Sequence, residues 1–434
     1  MTFRGKLWVL TLSGAIAVYA VVGGLPFVGY VLNANAQQAG NDPATQLRIV
    51  ESVLQHIQND YVDEPDMDKV RVGGLRGLAN GLDPYSSYLT PEQVAAYKAG
   101  ADSKKVGIGA EFSQVAGYMY VISVVKGGPA DQAGVKSGDF IEYIDNKATR
   151  DISLYDGKQL VAGDKGTVVS LRILRTTDKP QTIKVTRNAY TIPKAESRME
   201  AGKIGVVKVY SLEEGEAADI RNNIASLQKQ GAVKIILDLR GVAGGKLEEA
   251  AAVANLFIED GTLATVQGRE SKVVNTFAAD PSKTMFDGEA VVLTNLSTAG
   301  AAEAIAAAFA ERKRGEVVGE RTFGAGTQQE LFTLSSGAGY LLTVAKWASA
   351  SGKPFLGEDR ASMGVKPTVE VKRSDALEPL DAPALIENQD QNSPNANPTP
   401  AATPKPKAPA VTEDIQLKKA LELLTPKAAA VTAG

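Results

Sequence analysis

The chain has 434 residues, 44% of them hydrophobic, which is enough for two or three cores. Its 47 basic and 50 acidic residues leave a net charge of −3 with no long single-sign block, so nucleic acid finds no basic footprint. Cysteine is absent, which excludes disulfides and thiolate nucleophiles or metal ligands, and the one histidine is His56.

Residues 1–6 carry Arg4 and Lys6 ahead of an uncharged run from Leu7 to Leu32. As a helix that run would span ~39 Å against a ~30 Å hydrocarbon core. Ala34-Asn35-Ala36 has the small-x-small pattern of a signal-peptidase site, while the length of the run favours an uncleaved anchor. Residues 1–36 therefore read as a signal peptide or an N-terminal membrane anchor. Either places the rest of the chain outside the cytoplasm, with a bacterial periplasmic location expected. Residues 43–100 read as helical. His56 lies there on an amphipathic stretch with Ile49, Val53, Leu54 and Ile57, remote in sequence from any nucleophile. A Ser-His-Asp triad is thereby excluded, and no motif calls for a metal or a cofactor. Thr90-Pro91-Glu92 has the N-cap and first-position proline of a helix start.

Residues 104–190 begin with VGIGAEF (Val106–Phe112). Tyr120–Thr149 follows with alternating apolar residues around GGPADQAGVKSGD, then a helical ISLYDGKQLVAG and two strands, VVSLRILR and TIKVTR. In this order the block resembles a PDZ domain. The resemblance makes Gly107, Ile108, Gly109, Ala110 and Phe112 the peptide-binding segment. Gly107 and Gly109 would let free backbone N–H groups approach a terminal carboxylate, and a peptide strand would add along Ala110–Phe112.

Residues 195–372 alternate nearly all-apolar strands (VKIILDLRG, EAVVLTN) with helices, the mark of a largely parallel sheet covered on both faces. Strand, glycine-rich turn and helix recur at Leu239–Lys246 and at Asn295–Glu303, turns that such a sheet brings to one end. Residues 387–411 carry six prolines and read as a disordered, extended linker. Residues 412–425 then form a short helix with Ile415, Leu417, Leu421 and Leu424 at helical spacing, a docking or assembly element.

The segments NLSTAGAAE (Asn295–Glu303) and GERTFGAGTQQ (Gly319–Gln329) resemble the two active-site segments of the carboxyl-terminal processing proteases. These are serine/lysine peptidases with an inserted PDZ domain. DLRGVAGG (Asp238–Gly245) and LDPYSSYL (Leu82–Leu89) resemble two further family segments, the second with Tyr85 where the family has histidine. The resemblance implies an α/β fold: a helical N-terminal region, a β-rich PDZ insert and a crotonase-like ββα protease core. It puts the nucleophile position at Gly300 and the general-base position at Ala325, with the family's own separation of 25 residues. Gln329 falls on the glutamine accompanying the dyad, and Gly244 and Gly245 remain in the oxyanion region. Neither glycine nor alanine can attack a carbonyl or take a proton. The expectation is a homologue without activity that binds protein or peptide C-termini and regulates an active paralogue or scaffolds an envelope complex. It would contact the membrane through its N-terminal segment if that is uncleaved. An active endopeptidase using Ser297 or Thr298, with Lys246 as base, is the alternative. A purely structural assembly role is a third.

Overall fold

The computed structural model describes residues 42–100, 105–175, 178–359, 362–373 and 413–425. The expected signal or anchor at 1–36 and the linker at 387–411 lie outside the described residues. The described residues fall into two compact units, divided between Leu75 and Arg76. The first contributes α1 (Pro43–Asp60) and the start of α2 (Met67–Asn80). No residue of α1 is buried.

In the second unit, β1 (Ser87–Leu89) precedes α3 (Pro91–Lys98), whose start is fixed by a capping box between Thr90 and Gln93. A PDZ-type sheet follows, ordered β2 (Ala110–Val115), β3 (Tyr118–Val124), β4 (Phe140–Ile144), β6 (Val168–Arg175), β7 (Asp178–Thr186). The short β5 (Lys147–Ala148) pairs with β4. The helices α4 (Pro129–Ala133) and α5 (Leu154–Val161) belong to this lobe. Alternate strand residues such as Val121, Ile141, Leu171, Ile173 and Val185 bury one face, together with Leu154 and Val161 of α5.

Two further sheets build the core. One is ordered β17 (Val369–Glu370), β14 (Glu316–Gly319), β13 (Glu289–Thr294), β10 (Lys234–Asp238), β9 (Ile204–Lys208), β8 (Glu196–Glu200), parallel except for the β8 edge. The other is antiparallel: β1, β16 (Gly339–Ser349), β11 (Thr262–Gln267), β12 (Val273–Ala278), with β15 (Thr327–Thr333) pairing with β16. One face of the parallel sheet buries Ile235 and Leu237 of β10 and Ala290 and Val292 of β13. It packs against α6 (Glu216–Lys229), α7 (Leu247–Asn255) and α8 (Ala301–Glu311). The opposite face buries Ile236, Val291, Leu293 and Val318, and its cover is the C-terminal helix α9 (Ile415–Leu424) through Ala420 and Leu424. That two-sided cover explains why β10 and β13 are apolar at nearly every position. The tail segment thus docks on the chain's own core. The buried residues of α9 are Gln416, Ala420 and Leu424, whereas Ile415, read from spacing as part of the apolar stripe, is 41% exposed.

Candidate active site

The two glycine-rich turns meet at the C-terminal ends of β10 and β13, which pair in parallel register. Ala299 N–H donates to the Val242 carbonyl at 2.9 Å and Ala301 N–H to that of Gly244 at 3.3 Å. Thr298 Oγ1 donates to the Leu239 carbonyl at 3.0 Å. Gly300 caps α8 at φ 64°, ψ −121°, a conformation in which an L side chain is strained. A Cβ built there would lie 3.4 Å from Gly244 N, so the turn leaves a side chain room to stand beside the Gly244 amide.

The residue that organises this site is Glu303, which is fully buried. Its carboxylate accepts from Gly300 N–H and Ala325 N–H on one oxygen, both at 2.8 Å. The other oxygen accepts from Gly324 N–H at 2.9 Å and Thr322 Oγ1 at 2.5 Å. One side chain therefore fixes the loops that carry positions 300 and 325. Burial drives its pKa from 4.5 up to about 7, against the pull of the four donors toward the ionised form. Sequence reasoning gave Glu303 no role. Its signal was a charge in the first turn of an alanine-rich helix, three residues after the N-cap, at capping-box spacing.

Gly300 and Ala325 line one cleft of about 180 Å³, together with Gly244, Gln329, Tyr85 and Trp347. Gln329 Nε2 donates to Thr327 Oγ1 at 2.6 Å and to Thr343 Oγ1 at 3.2 Å. Ala325 is packed in an apolar cluster with Ala299, Phe323 and two PDZ residues, Tyr120 and Ile122. The rings of Tyr120 and Phe323 stack with centroids 5.5 Å apart. Glu111 of β2 and Lys158 of α5 also line the cleft, paired with each other at 2.7 Å. The PDZ lobe thus forms one wall of the site.

The alternative residues are placed elsewhere. Ser297 and Thr298 are buried in the turn, Thr298 with its hydroxyl committed to Leu239, and neither lines the cleft. Lys246 is half exposed and binds Glu214 at 2.7 Å. That hydrogen bond raises its pKa and so holds it as the ammonium, which cannot take a proton. Gly245 lies against Leu212, whose Cβ would sit 2.8 Å from a side chain added there.

In the PDZ lobe the N–H groups of Gly107, Ile108 and Gly109 have no acceptor among the described residues. The segment is held from its other side: the Ile108 carbonyl accepts from Ala130 N–H at 2.7 Å and that of Gly109 from Val125 N–H at 2.8 Å. Ile108 and Phe112 turn their side chains into the PDZ core, 1% and 4% exposed. Their side chains thus serve packing, and Phe112 also borders the cleft of Gly300 and Ala325. Tyr190, between the lobes, packs beside Gly109.

A PDZ lobe set into an α/β core whose two glycine turns converge on one cleft is the build of a processing peptidase. Residues 203–371 match peptidase family S41, and residues 120–175 match the PDZ domain. The carboxy-terminal processing protease CtpA of Bacillus subtilis (strain 168) is 31% identical over 379 residues, 85% of this chain and 78% of that protein. A probable CtpA-like serine protease of Staphylococcus aureus (strain COL) is 29% identical over 372 residues, 84% of this chain and 73% of that one. Among solved structures, a photosystem II D1 C-terminal processing protease superposes with a TM-score of 0.62 at 26% identity, over 75% of this chain and 93% of that one. This chain belongs to the carboxyl-terminal processing proteases of family S41.

Proposed function

We propose that this chain is a non-catalytic member of its family, exported to the periplasm, that captures protein C-termini or extended peptides through its PDZ lobe as a regulator or scaffold. The observation that carries this reading is the cleft. Its frame is kept by Glu303, yet Gly300 and Ala325, which both line it, supply neither a hydroxyl nor an amine. The amine that does line it, Lys158, is held by Glu111. Losing a nucleophile and its base together removes several orders of magnitude of rate, because the two act as a unit.

The three acceptor-free amides at 107–109 support the binding half of the proposal, since a terminal carboxylate is the group such amides hold. The apolar start of the chain supports export. The test compares a short peptide bearing a free C-terminal carboxylate with its C-terminal amide, using calorimetry on the full chain. Binding that weakens about tenfold with the amide supports capture of C-termini. Equal binding of the two refutes it.

A further inference from the structure

A second cavity, of about 390 Å³, opens between the β2–β3 end of the PDZ lobe and the glycine turn after β10. Lys126, Lys208 and Arg240 line it, together with the turn Ala243–Gly245 and Tyr190. The N–H groups of Ala243, Gly244 and Gly245 have no acceptor among the described residues. Gly244 and Gly245 are both left-handed, at φ 82° and 83°, and only a glycine at 245 fits against Leu212, so the turn presents backbone to the cavity.

Four cations and four carboxylates gather around it, most of them paired. Arg240 is held by Asp238 and Asp414, and Lys208 binds Asp238 and the Arg240 carbonyl. Glu111 is taken by Lys158, and Glu213, exposed at the cavity, forms no ion pair among the described residues. Lys126 forms no ion pair among the described residues, and its ammonium lies 5.8 Å from the Tyr210 ring centroid. Three amides without acceptors and one cation without a counter-ion therefore border the same space. A carboxylate satisfies both.

We propose that this inter-lobe cavity is a carboxylate-binding site, taking either an Asp or Glu side chain of a captured peptide or the peptide's own terminal carboxylate. Tyr190 packs on Gly109 and also lines the cavity, as do Ala110 and Glu111, so the site adjoins the PDZ carboxylate loop. Holding a side-chain carboxylate, it acts as a second anchor that selects acidic peptides from among all free C-termini. The inference rests on the non-catalytic reading, because it gives a resting ligand to a turn that an active relative would reserve for an acyl oxyanion.

Four versions of one short, unstructured peptide test it, with Glu or Gln near the C-terminus and with the terminus free or amidated. Each is titrated by calorimetry into the full chain and into Lys126→Glu, an exposed substitution that leaves both cores intact. The expected result is that the Glu peptides bind the natural chain about tenfold more tightly than the Gln peptides, and that Lys126→Glu erases this preference. If Lys126→Glu instead erases the advantage of the free terminus, the site stands with the terminal carboxylate as its source. If Lys126→Glu changes neither comparison, the second anchor is overturned, while dependence on the free terminus would still uphold capture by the PDZ loop. Absence of binding by all four peptides overturns both.

Discussion

Replacing Glu303 by glutamine removes the one ionisable group that ties positions 300 and 325 together. The carboxylate takes four donors, two on each oxygen. A glutamine accepts on one oxygen only; with that oxygen toward Gly300 and Ala325, its NH2 faces the Thr322 hydroxyl and the Gly324 N–H, and the Gly324 amide loses its partner. The pH dependence gives the cleanest magnitude. The folded pKa, about 7, lies above the ordinary 4.5, so the folded state binds the extra proton. The stability this group contributes is therefore fully present below about pH 4.5 and is lost as pH rises through 7. Linkage across pH 5 to 8 gives a loss of about 2–3 kcal/mol. Urea unfolding of the natural chain and of Glu303→Gln over that range cancels every other titrating group in the difference. The natural chain should lose about 2–3 kcal/mol relative to the variant on going from pH 5 to pH 8. A difference that stays flat would mean that Glu303 titrates as it does in water, and the buried clamp would be refuted.

Three further outcomes follow from the same geometry. Gly300→Ser places a side chain at φ 64° with 3.4 Å to the nearest backbone atoms, so denaturation should show a cost of about 1–3 kcal/mol from backbone strain with no loss of fold. Leu424→Ala, in a residue 4% exposed on the sheet face covered by α9, should cost about 2–4 kcal/mol in the same assay. Ser297→Ala and Lys246→Ala should each leave peptide binding unchanged in calorimetry, because neither residue belongs to the PDZ carboxylate loop or lines the inter-lobe cavity.

Much of the core was legible because its chemistry is repetitive. The unbroken apolar runs of β10 and β13 announced a sheet covered on both sides, and the glycine turns after them announced a shared end. The identity of the second cover was not legible. Helix α9 follows a long proline-rich stretch, and its buried stripe includes Gln416, whose side chain bonds the Val371 carbonyl and Arg240. A satisfied buried amide is invisible to hydropathy, so the pattern pointed to Ile415 instead. Glu303 was hidden for the same reason: its cost is offset by partners from two segments far apart in sequence. Ile108 and Phe112 show the converse. The resemblance placed them in the binding segment through their backbone, and only packing shows that their side chains serve the PDZ core.

Incubation of the purified natural chain with an unfolded protein substrate, followed by electrophoresis and mass spectrometry, tests the account most directly. The account predicts substrate loss no faster than in buffer. It also predicts cleavage only after Gly300→Ser and Ala325→Lys are introduced together. Peptide products released by the natural sequence, with turnover abolished by a single substitution within it, would contradict the account.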